Sequence, residues 1–239
     1  MPASPNRQTF SRQSRQFIGD ETYRDTKNIM MQLYFHEEVL DTIARCPVAE
    51  DVQICLGHRS VGPFLGLSVG WLETLQARPI RRLSIPFSLL SWVLNRPDLP
   101  SLNIQKAFPD LTHLSLRTMP MISTGEGDFW EDVTQLKTLT HISISRASTF
   151  AIKLLLSRLP SLQLLCLEAF SEADSRRFLS TFGEIQDRRI VLTRFPSMER
   201  VLEQWEAGTR GHPDFWDEVE RMREKTLPLN EQHSLLFKK

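Results

Sequence analysis

The sequence predicts an α/β solenoid, with short parallel strands on its inner side and helices outside, on three observations. The pattern aliphatic-x-x-aliphatic-x-aliphatic recurs: weakly at Ala49, Val52 and Ile54, then at Ile80, Leu83 and Ile85, at Leu111, Leu114 and Leu116, at Leu139, Ile142 and Ile144, and at Leu162, Leu165 and Leu167. A degenerate copy lies at Ile190 and Leu192, so the middle positions 52, 83, 114, 142, 165 and 190 step by 31, 31, 28, 23 and 25. A period of that size marks a supersecondary unit used repeatedly. Two copies are near repeats, FPDLTHLSL at 108–116 and LKTLTHISI at 136–144. Finally, the segments between copies carry helical instead of strand spacing.

Each copy reads as a strand because its last two aliphatic positions are two residues apart and share one side of the pleat. Val39, Leu40 and Ile43 have the spacing to begin the helix of the first repeat. Asp128 is expected to cap a helix that turns Phe129, Val133 and Leu136 inward, with Glu131 and Asp132 near its positive end. Ser148 is the expected N-cap for Ile152, Leu155, Leu156 and Leu159, with Pro160 past the end. Ser171, three residues before Asp174, opens a helix through Phe178, Leu179 and Phe182 that meets Gly183 at its C-cap. Farther on, PDFWDEV at 213–219 echoes GDFWEDV at 127–133, and Phe215, Val219 and Met222 reproduce the spacing of Phe129, Val133 and Leu136 behind the cap Asp214.

Strand, helix, strand at this spacing requires parallel pairing, since a hairpin needs only a few linking residues. A doubly wound sheet would show longer aliphatic strands and often a glycine-rich turn, and neither is present. A lone unit cannot bury its apolar side, so neighbours stack. The expectation is an irregular, leucine-rich-repeat-like α/β solenoid forming one domain over 29–226. Its last repeat would be covered by a C-terminal helical cap at 197–226, two helices about the turn from Gly208 to Pro213, with Trp205 or Trp216 packed on the last repeat. Residues 1–28 read as a mobile segment poor in aliphatics, and 227–239 as a tail or a short segment laid on the body.

Composition narrows the function. The 239 residues are 41% hydrophobic with 29 basic and 29 acidic side chains, so no overall field gathers nucleic acid or an anionic membrane. No apolar run approaches the roughly 18 to 20 residues of a membrane span. Arg7, Arg12 and Arg15 are followed by no apolar stretch of a secretory signal. Cys46, Cys55 and Cys166 are odd in number and form no Cys-x-x-Cys, which points to buried thiols in a reducing, intracellular setting, cytoplasmic or nuclear, and to no structural zinc.

With the aliphatic triplets turned to the core, two columns line the inner strand face. One holds Asp51, Arg82, His113, His141, Leu164 and Arg189, the other Gln53, Ser84, Ser115, Ser143, Cys166 and Val191. On location, Arg82, His113, His141 and Arg189 are the candidate contacts for a protein partner, on a surface expected to be solvated. The alternative is a small hydrolase using an inner-face pair, His113 with Ser115 or His141 with Ser143. It would need a base in reach of the serine and an oxyanion hole, and the Gly-x-Ser-x-Gly turn is missing. Two histidines alone fall short of a zinc site, and no cofactor motif is present.

The segments FPDLTHLSL, LKTLTHISI, LSRLPSLQLLCLEAF, DRRIVL and QWEAGTRGHPDFWDEVERM together resemble fungal F-box and leucine-rich-repeat-like proteins, over roughly residues 40 to 225. The resemblance implies a repeat body that presents a surface to a substrate protein, and in members with an F-box, docking on a ubiquitin-ligase adaptor. Here the first 40 residues show no Leu-Pro-x-Glu-like start, and no asparagine follows the strands at Leu116, Ile144 or Leu167. A non-catalytic interaction module lacking its F-box is therefore the expectation, with docking on the adaptor left unsupported by these residues.

Overall fold

The computed structural model describes residues 8–10, 28–33, 45–56, 74–94, 104–117, 126–145, 148–182, 185, 187–209, 211–225 and 227–237, the first two segments by backbone alone. The chain divides into two compact units, residues 1–138 and 139–239.

The first unit carries the strands β1 (Gln8–Phe10), β2 (Asn28–Leu33), β3 (Asp51–Leu56), β4 (Arg82–Pro86) and β5 (His113–Arg117), each parallel to the next. Its helices are α1 (Phe87–Leu94), α2 (Ile104–Ala107) and α3 (Glu126–Val133). The second unit carries β6 (His141–Ile144), α4 (Thr149–Arg158), β7 (Leu164–Ala169), α5 (Glu172–Phe182), β8 (Ile190–Arg194), α6 (Met198–Thr209), α7 (Phe215–Glu224) and α8 (Leu229–Phe237), again with parallel strands. The α/β class and parallel pairing are as the spacing predicts. β1 and β2 were not expected: Gln8–Phe10 lies inside the stretch read as mobile, and NIMMQL at 28–33 lacks the aliphatic triplet on which the period was found. The helix expected at Val39, Leu40 and Ile43 lies outside the described residues, as does the cap expected at Gly183.

The middle aliphatic of each copy anchors the core: Val52, Leu83, Leu114, Ile142 and Leu165 are all buried. A recurring hydrogen-bond device sets the entry to the strands. Glu50 O accepts from the N–H groups of both Arg81 and Arg82, Arg81 O from Thr112 and His113, and Thr140 O from Gln163 and Leu164. Side-chain hydroxyls ahead of the strands add to it: Thr112 Oγ1 donates to Arg81 O at 3.0 Å, Thr138 Oγ1 to Leu111 O at 2.9 Å, and Ser161 Oγ to Leu139 O at 2.9 Å. Each ties the approach to a strand to a backbone carbonyl of the preceding copy.

Helix starts follow the caps with one exception. Ser148 Oγ accepts from Ala151 N and Ser171 Oγ from Asp174 N. Asp214 and Asp217 form a reciprocal capping box at α7. Asp128, by contrast, lies within α3, which begins two residues earlier at Glu126. Phe129 and Trp130 of α3 are fully buried with Phe87, ring centroids 4.5 to 5.8 Å apart, so aromatic packing, not the aspartate, decides where this helix sits.

Candidate functional site

In the first unit the two inner-face columns form as the alternation requires. Asp51, Arg82 and His113 are register partners on β3, β4 and β5, and Gln53, Ser84 and Ser115 lie alongside. The first three are half-buried, Gln53 and Ser115 buried. Arg117 Nε donates to Ser115 Oγ at 3.2 Å, and the buried Ser84 Oγ has no hydrogen-bond partner among the described residues. His113 Nδ1 lies 2.8 Å from Thr112 Oγ1. That hydroxyl spends its only hydrogen on Arg81 O, so it accepts from an Nδ1–H, and the ring is held with Nε2 turned away from Thr112.

The second unit repeats the motif in a different setting. His141 Nδ1 is again 2.8 Å from the hydroxyl of the preceding threonine, Thr140. But His141 pairs in register with Leu164, and Ser143 with Cys166, which itself pairs with Val191. The inner face has turned apolar. Helix α7 covers it: Val219 joins the buried cluster of Leu164, Cys166 and Val191, with Phe215, Trp216 and Met222 packed against it. His141 Nε2 donates to Glu220 Oε1 at 2.8 Å, and the ring meets Trp216 edge-on at 5.7 Å. Arg223 lies 3.8 Å from the same carboxylate and donates to Gln163 O at 3.1 Å.

This corrects the expectation of a solvated inner surface there, because His141 is only 6% exposed. The cap helices were expected at the open end of the last repeat, whereas α7 lies on the strand face. Trp216 is packed there, and the side chain of Trp205 lies outside the described residues. The outer edge of β8 is met instead by α8, within the stretch read as a tail. Gln232 Oε1 accepts from Leu192 N at 2.7 Å while its Nε2 donates to Leu227 O at 2.7 Å.

Arg189 is held in a local clamp. Its guanidinium forms a two-point pair with Asp187, at 2.9 and 2.7 Å, and also donates to Leu156 O at 3.1 Å. The Arg189 hydrogen bonds hold the Asp187 carboxyl below its usual range, against the opposing effect of partial burial. Arg189 thus joins β8 to the end of α4. Of the four candidates, Arg82 and His113 stand side by side, His141 is roofed over, and Arg189 is tied to Asp187.

The proposed histidine and serine pairs do not meet. Ser143 Oγ donates to Glu168, a carboxylate 1% exposed, and Ser115 Oγ accepts from Arg117, so among the described residues neither serine hydrogen-bonds a histidine. A serine and a histidine do meet elsewhere: Ser175 Oγ and His233 Nδ1 are 2.7 Å apart, joining α5 to α8, with Ser175 fully buried. Cys46 and Cys166 are buried thiols, and burial pushes the Cys46 thiol up to about 11. Among the described residues no cluster of His, Cys, Asp and Glu could hold a metal ion, and no helix is long and apolar enough to cross a membrane.

Glu220, Glu168 and Gln232 were missed in the sequence. For the first a signal existed, since Leu164, Cys166 and Val191 make an inner column that water would not favour, and α7 carries a matching apolar stripe. Compared with protein-family models and with curated proteins, the chain matches none.

Proposed function

We propose that the chain is a non-catalytic protein-interaction module, a leucine-rich-repeat-like solenoid that takes its partner on the inner strand face of the first unit. Its resemblance to F-box-type proteins makes the substrate-recognising part of such a protein, without its F-box, the form this function would take, in the cytoplasm or nucleus. One observation carries the reading. The column Asp51, Arg82 and His113 is half-buried and polar, whereas the matching column of the second unit is already covered by the chain's own α7. A polar array in register on successive strands gives specificity by pattern, with a few anchors supplying affinity.

The test is affinity capture from the native cell with wild type and an Arg82→Ala, His113→Ala double variant. The variant is expected to melt with wild type and to lose a partner that wild type retains. Identical captured proteins, or a large fall in melting temperature, would remove the reading, and recovery of a ubiquitin-ligase adaptor with wild type would restore adaptor docking.

A further inference from the structure

We infer that the inner face of the second unit is a helix-receiving surface, and that α7 is its built-in occupant, lying there until an amphipathic helix of a partner, of the same chemistry, takes its place. It is a different surface from the first-unit face, and neither depends on the other. The contact is that of a helix laid in an apolar groove, where side chains at i, i+4 and i+7 supply the anchors. Phe215, Val219 and Met222 stand at that spacing against Leu164, Cys166 and Val191. At the rim, Glu220 meets His141 Nε2 at 2.8 Å, Trp216 meets the same ring edge-on, and Arg223 donates to Gln163 O. The partner is thereby defined: three apolar side chains on one stripe, with a carboxylate directly after the middle one.

Two features make α7 a removable occupant. Its direction is set within the arm it forms with α6. Gly211 N–H donates to Gly208 O and His212 N–H to Ala207 O, with Gly211 at φ 78°, the paired bonds of a helix ended by glycine. A Cβ on Gly208 would lie 2.8 Å from the Cβ of Asp214, so glycine is what lets α7 begin this close to α6. Asp214 and Asp217 form the capping box, and Glu218 accepts from Arg200 and Gln204 of α6 at 3.2 and 2.7 Å. None of these ties involves β6, β7 or β8. The hold on the strands is lighter. Of the ten residues of α7, all described, Val219 alone is buried, while Phe215, Trp216 and Met222 keep part of their surface in water. An element with so little buried surface opens at a lower cost than the whole fold. Opening uncovers Leu164, Cys166 and Val191, each 0% exposed in the closed state, and a second helix with the same stripe covers them again.

Fluorescence anisotropy with the full chain and a labelled peptide carrying its residues 213–225 tests the assignment. A site that is mostly closed binds with an affinity reduced by the fraction of molecules that are open. Val219→Ala in the chain loosens the resident helix, so the peptide is expected to bind this variant about tenfold more tightly than wild type. A peptide carrying Val219→Asp should bind neither chain, and one carrying Glu220→Gln should bind about fivefold more weakly than the parent peptide. Hydrogen exchange on the wild-type chain provides a reading that does not depend on the variant folding: excess peptide should speed exchange of the α7 amides and leave those of α4 unchanged. No saturable binding to a folded Val219→Ala chain, equal binding of the aspartate peptide, or α7 exchange that ignores the peptide overturns the inference. So does concentration-dependent dimerisation of Val219→Ala without peptide uptake, which would make the occupant a second copy of the chain.

Discussion

Thr112-His113 and Thr140-His141 are the same two residues at the same step of a strand, with the same 2.8 Å contact inside each pair, yet one imidazole is half-buried and the other is 6% exposed. The difference comes from the neighbours. His113 has Arg82 across the ladder, whereas His141 has Leu164, with Cys166 and Val191 beyond. A greasy strand face draws a cover, and here the chain supplies its own. The two DFW segments make the complementary point. Phe129 and Trp130 are fully buried with Phe87, while Phe215 and Trp216 lie partly buried on strands. Similar helix chemistry goes wherever an apolar surface is on offer.

The sharpest way to break this contrast is Val219→Asp, which places a charge among Leu164, Cys166 and Val191. It should cost about 3 kcal/mol or more and lower the melting temperature accordingly. A variant that melts with wild type would mean that α7 does not cover the second inner face. A finer cut compares the two histidines by urea denaturation. His141→Ala removes a buried group bonded at both ring nitrogens and should cost roughly 1 to 3 kcal/mol, whereas His113→Ala should cost under about 1 kcal/mol. Equal losses would erase the distinction between the faces.

The smallest expected effect concerns Asp187, at the base of β8. Its folded carboxyl titrates below its unfolded value, so the clamp with Arg189 contributes stability that is fully present above the unfolded value, about 3.9, and is lost as pH falls through the folded value. Asp187→Asn should therefore melt below wild type at neutral pH and converge with it in acid. Melting curves that stay parallel across that range would show that the pair is not coupled to folding.

Periodicity made the strands legible from Val52 onward, and local chemistry made the caps Ser148, Ser171 and Asp214 legible, because both depend on residues close in sequence. β1 and β2 escaped because Gln8–Phe10 is too short for a pattern and NIMMQL breaks the triplet. Asp128 misled because the burial of Phe129 and Trp130 outweighs a cap worth about 1 kcal/mol. The columns themselves were readable by alternation, but treating them as one solvated surface ignored their change from Arg82 and Ser84 to Leu164 and Cys166. What no local pattern reveals is a contact such as His141 with Glu220, 79 residues apart.

Helix α8 holds a final lesson about where a parallel ladder stops. In β8 the N–H of Leu192 points away from β7, and the group that answers it is the amide of Gln232, a side chain posing as the next strand. One glutamine therefore answers this N–H as a further strand would, from a helix in place of a ladder.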